Sequence, residues 1–156
     1  MNDYKYYLDY AIYDIQCNKY EEALEKLNKS LNLKSNWEIP YFYRGVVNQA
    51  LDKLDDAILD YTKALKFNDK MTDAYYNRAK ILLSRKDIQN PDINRAVSDL
   101  EKALELDENF IQALYAMGAA PKKIRKLRKS SLLLRKSYRI RTRFYSRKSI
   151  KETNSY

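Results

Sequence analysis

The side chains that most often do chemistry are scarce in this chain. It has one cysteine, Cys17, and no histidine. That excludes every histidine-based triad or general base, nearly every zinc site, and a disulfide within the chain. Cys17 has no identifiable partner and reads as a small packing residue rather than a nucleophile. Adjacent acids occur at Glu21-Glu22 and Asp55-Asp56. Paired carboxylates can divide acid and base work between them. Here they stand near the starts of amphipathic stretches, where acids suit the positive end of a helix dipole. Gly45 and Gly118 are isolated, so no glycine-rich loop is available to cradle a phosphate. The sequence therefore points away from an enzyme and toward a protein with no cofactor, no metal site and no small-molecule substrate.

What remains to be positioned is surface, and the composition says by which elements. Of 156 residues, 45% are hydrophobic and 33% charged, a balance that supports a folded core. Only 2 Gly and 3 Pro punctuate the chain, too few for the turns of a β-sandwich or barrel, so an all-α fold is expected. No run approaches the about 18 apolar residues of a membrane span. The start, MNDYKYYLDY, lacks the basic-then-apolar order of a secretory signal. A cytoplasmic protein is the expectation. The net charge of +9 hides a division: residues 1–120 hold 16 Lys and Arg against 20 Asp and Glu, whereas residues 121–156 hold 14 against 1.

The acidic body repeats itself. Tyr7, Tyr41 and Tyr75 are spaced by 34 residues, as are Ala11, Gly45 and Ala79, while Ala23 and Ala57 are again 34 apart. Ala57 to Ala96, Ala64 to Ala103 and Leu65 to Leu104 are each 39, a slip of five that falls in the turn-rich SRKDIQNPD. Each repeat splits into two amphipathic stretches. The second reads YEEALEKLNKSLNL, LDDAILDYTKALKF and INRAVSDLEKALEL, with apolar and small residues recurring at three and four. Small residues at Ala23, Ala57 and Ala96 let paired helices approach closely. Asn90-Pro91-Asp92 reads as an N-cap, a proline at the first helical position and an acidic first turn, so the helix from Asp92 to Leu106 is expected to start early.

These positions resemble the tetratricopeptide repeat, a helix–turn–helix unit of 34 residues. Its aromatic position is filled by Tyr7, Tyr41 and Tyr75, its small position by Ala11, Gly45 and Ala79, and its first alanine by Ala23, Ala57 and Ala96. Leu27, Tyr61 and Leu100 take the bulky position, and Ser30, Ala64 and Ala103 the second alanine. The closing proline is absent; Ser35, Asp69 and Glu108 stand there. The resemblance implies an α-solenoid of stacked antiparallel helix pairs, with repeats at 4–37, 38–71 and 72–110 and a partial one at 111–120. It implies a protein-interaction scaffold that binds a peptide or helix of a partner protein in its groove. Carried over position by position, the groove residues are Lys5, Leu8, Asp9 and Ile12, then Ile39, Phe42, Tyr43 and Val46, then Asp73, Tyr76, Asn77 and Lys80. The twelfth positions add Ile15, Gln49 and Leu83. Family members that hold chaperone C-termini need a clamp of Lys, Asn and Arg. Here the clamp positions carry Leu8, Ile12, Tyr43, Asp73 and Asn77, so that function is not expected.

From Pro121 the rhythm stops and Arg and Ser dominate. A one-base slip has this signature, because glutamate and alanine codons read one base early become arginine and serine codons. Back-translating IRKLRKSSLLLRKSYRIRTRFYS and dropping one base gives LGNYEKAASYYEKAIELEPDFI. This restores alanine at positions 130 and 137 and proline at 142, where the fourth repeat needs them. The expectation is that 121–156 is a frameshifted remnant of the fourth repeat, slipped at the codons of Lys122 and Lys123. Two other readings stand beside it. The cations interleaved with Tyr138, Phe144 and Tyr145 would suit nucleic acid or an acidic membrane, or the chain is a non-functional truncated repeat protein. Removing the inferred extra base should raise the melting temperature, since each apolar side chain reburied contributes about 1.5–3 kcal/mol before entropy is subtracted. Thermal unfolding and tail proteolysis of both versions check this. A protease-resistant tail on the more stable unaltered chain would sink the reading.

Overall fold

The computed structural model describes residues 3–85 and 90–119. Seven helices follow among them: α1 (Asp3–Gln16), α2 (Tyr20–Leu33), α3 (Glu38–Ala50), α4 (Leu54–Phe67), α5 (Thr72–Ser84), α6 (Asn90–Leu106) and α7 (Ile111–Ala119). No strand occurs among the described residues. α1 packs chiefly on α2, α3 on α4 and α5 on α6, and each second helix then packs on the first helix of the next pair. This is the expected all-α solenoid. The basic segment 121–156, with the expected frameshifted half-repeat, lies outside the described residues.

With two glycines in the chain, the helices stop by other means. Asn18 and Asp52, two residues past α1 and α3, adopt left-handed φ angles of 57° and 59°. Asparagine and aspartate tolerate that region better than other side chains. The following amides, Lys19 and Lys53, donate back to the carbonyls of Asp14 and Asn48 at 2.8 Å, which closes each helix. α2 and α4 then begin without a side-chain cap, and Glu21, Glu22, Asp55 and Asp56 fill their first turns. Those acid pairs are thus placed where the helix dipole favours them. α6 extends two residues before the expected Asp92 start: Asn90 is already helical rather than a flanking cap. Cys17 is a correction of another kind. It is exposed and so packs against little, because it falls where α1 gives way to the turn.

The core runs along the line where first and second helices meet. Ala11, Ala79, Ala23, Ala57 and Ala96 are wholly buried, as are Leu27, Tyr61 and Leu100. Ser30 replaces the second alanine at no polar cost, because its hydroxyl donates to the Tyr4 carbonyl at 2.7 Å. The middle pair differs from its neighbours. Where the other two set alanine beside leucine, it sets Gly45 beside Tyr61. A Cβ on Gly45 would stand 2.8 Å from Tyr61 Cε1 and 2.9 Å from Cδ1, inside contact distance. Burial pushes the Tyr61 phenol well above its ordinary pKa, and its hydroxyl donates to Gln49 Oε1 at 3.1 Å.

Gly45→Ala should therefore destabilise the fold by about 1–3 kcal/mol through overpacking. Adding Tyr61→Leu, which recreates the alanine–leucine pairing of the neighbours, should cost much less than the two single changes summed. Denaturant unfolding of the four proteins gives the coupling. Strict additivity would show that the ring does not decide the residue at 45.

Candidate binding surface

Neighbouring pairs are locked together by the same triad of polar residues, used twice. Arg44 donates to both carboxylate oxygens of Asp60 at 2.9 and 2.7 Å and to Asn28 Oδ1 at 2.7 Å. Asn48 adds a bond to Asp60 at 2.9 Å. Thirty-four residues on, Arg78 donates to both oxygens of Asp99 at 2.8 and 2.7 Å and to Thr62 Oγ1 at 3.0 Å. In each case the arginine comes from a first helix, the acid from its own second helix and the third group from the preceding pair. The forked guanidinium matches the carboxylate in a fixed plane, so the lock sets how one pair sits on the next. In the first pair the polarity is reversed: Asp14 on α1 pairs with Lys26 on α2. These charges are turned inward and paired, which leaves the outer face of the first helices to other residues.

That face is the row of α1, α3, α5 and α7. The expected groove residues divide by burial. Lys5, Asp9, Asp73 and Lys80 are exposed, and Ile12, Ile39, Phe42, Tyr43, Val46, Tyr76 and Asn77 are half-buried. Leu8 is 5% exposed and sits in the core with Ala11, Ala23, Leu27 and Val47, which leaves it little surface to offer. The half-buried rings are held by other rings. Phe42 lies 5.5 Å from Tyr43 and 5.9 Å from Tyr61, and Tyr76 meets Phe110 edge-on at 5.4 Å. Asn77 stands close enough to the Tyr61 phenol to offset part of the rise that burial gives its pKa. Among the described residues no group of three His, Cys, Asp or Glu side chains is placed to hold a metal ion.

The same arrangement of helices recurs in solved structures. The crystal structure of MamA superimposes with a TM-score of 0.75 at 21% identity, covering 93% of this chain and 82% of that one. The first TPR of Spaghetti (RPAP3) bound to an HSP90 peptide gives 0.69 at 21% identity, over 80% and 92% of the two chains. This is the tetratricopeptide-repeat fold. The Yersinia enterocolitica type III secretion chaperone SycD, in complex with a peptide of the translocator YopD, gives 0.66 at 22% identity, over 78% and 93%. In sequence, human and mouse DnaJ homolog subfamily C member 7 are 38% and 35% identical over 77 residues. That match takes in 49% of this chain and spans only 14% of the length of those relatives. No family model matches the chain.

Three features of this tetratricopeptide-repeat surface escaped the sequence reading. Tyr115 and Ile111 on α7 are 59% and 60% exposed. Tyr115 stands in the same column as Leu8, Phe42 and Tyr76, and carrying the count from Ile111 into the fourth repeat would have found it. The arginine locks were legible only as Arg44 and Arg78 at a shared repeat position. Their partners come from other helices, and no local spacing names them. Tyr6, Tyr10 and Tyr13, to which the sequence reading gives no site, are exposed.

Removing one partner of a buried ion pair leaves the other charge uncompensated. Arg78→Leu should cost about 3–5 kcal/mol, and the double change with Asp99→Leu should recover most of it. Denaturant midpoints check this. A single mutant as stable as the parent would mean that the lock does not hold the pairs.

Proposed function

We propose that this chain is a non-enzymatic scaffold of the cytoplasm that holds a peptide or helical segment of a partner protein along the row of first helices. The observation that carries the reading is the strip of half-buried Phe42, Val46 and Tyr76 continued by exposed Tyr115. Aromatic side chains with one face free and the other packed give contact area at low entropic cost, which suits anchor positions. Two proteins of the same fold support it, since RPAP3 is seen with an HSP90 peptide and SycD with a peptide of YopD. The kind of contact differs from a charged clamp. The bordering charges Lys5, Asp9, Asp73 and Lys80 are two of each sign, so selectivity rests on shape and apolar match.

The test starts from peptides selected against the full chain from a random library. Phe42→Ala and Tyr76→Ala should each weaken the selected peptides by about 1–3 kcal/mol. Deleting residues 121–156 should leave that affinity in place. If both alanine variants bind unchanged with the helical signal intact, the groove is elsewhere. If binding disappears with the deletion and falls steeply with salt, the basic segment is the binding element.

A further inference from the structure

The internal register of the chain shows what a first helix presents to the pair before it. In α3, α5 and α7 the third, seventh and tenth repeat positions are Pro40, Arg44 and Val47, then Ala74, Arg78 and Ile81, then Ala113 and Met117. Pro40, Val47, Ala74, Arg78, Ile81, Ala113 and Met117 are all buried, and Arg44 is half-buried. The helix that covers them is the second helix of the preceding pair: α2 on α3, α4 on α5 and α6 on α7. In α1 the same three positions hold Tyr6, Tyr10 and Tyr13, exposed by 48%, 48% and 58%. Among the described residues no helix lies over them.

The chemistry of this face narrows what fits it. A further repeat seated as the others are would need Pro40, Ala74 or Ala113 where Tyr6 stands, because that position takes a small or compact residue under the covering helix. Tyr6 and Tyr10 instead meet ring against ring at a tilt of 44°, with centroids 4.5 Å apart. With exposed Cys17 the three tyrosines run at spacings of four, three and four, a straight stripe along one helix side and the spacing of a helix–helix seam. The side chains that border the stripe on α1 are Asp3 and Asp9, both exposed, and exposed Glu22 stands on α2 at the repeat position of Asp56, which faces the preceding pair. Of the nearby lysines Lys26 pairs with Asp14 and Lys29 with Glu25, while exposed Lys19 stands at the repeat position of Lys53, so three acids face one cation outside those pairs. Two copies of so acidic a rim would repel one another. Tyrosines elsewhere on the chain already take cations over their rings: Lys34 over Tyr4 at 4.7 Å, Arg44 and Lys63 over Tyr41 at 5.5 Å.

We propose that the free face of α1 is a second docking surface, which shares only Asp9 with the border of the candidate groove, and that its occupant is an amphipathic helix of a partner whose apolar stripe is flanked by lysine and arginine. The partner's apolar side chains lie between the tyrosine rings, and its cations meet Asp3, Asp9 and Glu22 and the ring faces.

The test uses two synthetic amphipathic helices with the same leucine stripe, one flanked by lysines and one by glutamates, titrated against the full chain. The lysine-flanked helix should bind and the glutamate-flanked one should not. Tyr6→Ser with Tyr10→Ser should weaken binding about tenfold or more, close to the loss of one anchor. Glu22→Lys, which leaves the stripe and the candidate groove intact, should shift preference toward the glutamate-flanked helix even if the serine variant folds poorly. The proposal is overturned if Glu22→Lys leaves the ratio of the two affinities unchanged, or if the well-folded serine variant binds as the parent does. It is equally overturned if sedimentation shows a dimer of the chain alone that the serine changes dissolve, since the occupant would then be a second copy.

Discussion

Everything in this structure depends on how closely a first and a second helix can approach. The approach is set by one small residue facing one bulky one, and the chain solves it in two ways. Ala11 and Ala79 sit in the pairs that carry Leu27 and Leu100, and Gly45 in the pair that carries Tyr61. The middle solution is the more exacting, because a ring lies where any Cβ would go. It brings something the others lack. The Tyr61 hydroxyl reaches the row of first helices, where Gln49 accepts its hydrogen bond.

Close packing within pairs does not fix the angle between pairs, and that is where the two arginine locks act. Apolar burial is non-directional, whereas a guanidinium forked onto a carboxylate admits few geometries. Each lock draws on three helices, so it specifies the stacking more than it adds to stability. The first pair has no place for the arginine, since Tyr10 stands at that position. Its ion pair, Asp14 with Lys26, joins α1 to α2 and reaches no further. The absence of an outward-reaching lock and the presence of exposed tyrosines at the same face are two aspects of one local departure from the repeat.

The two surfaces differ in kind for reasons that follow from this packing. Along the row of first helices Phe42, Tyr43 and Tyr76 are half-buried and braced by neighbours, with mixed charges at the border. On the free side of α1 Tyr6, Tyr10 and Tyr13 are all exposed, the first two meet at a tilt, and most of the bordering charges are acids. A braced strip suits a segment laid along it, and an open stripe suits a helix set against it.

The sequence by itself determined the helices and their pairing, because the 34-residue recurrence of Tyr7, Ala11 and Ala23 is a local pattern that helical periodicity turns directly into a buried seam. It also named a column of candidate groove positions, carried from one repeat to the next. It could not decide which of those residues keep any surface. Leu8 and Phe42 share a repeat position, yet Leu8 is in the core and Phe42 is half-exposed, because their neighbours across the helix row differ. Nor could it show that Gly45 answers Tyr61, that Arg78 meets Asp99, or that Cys17 and three tyrosines face outward. Each of those depends on which helix lies against which, and only the folded stack brings residues 16 to 21 positions apart within bonding distance.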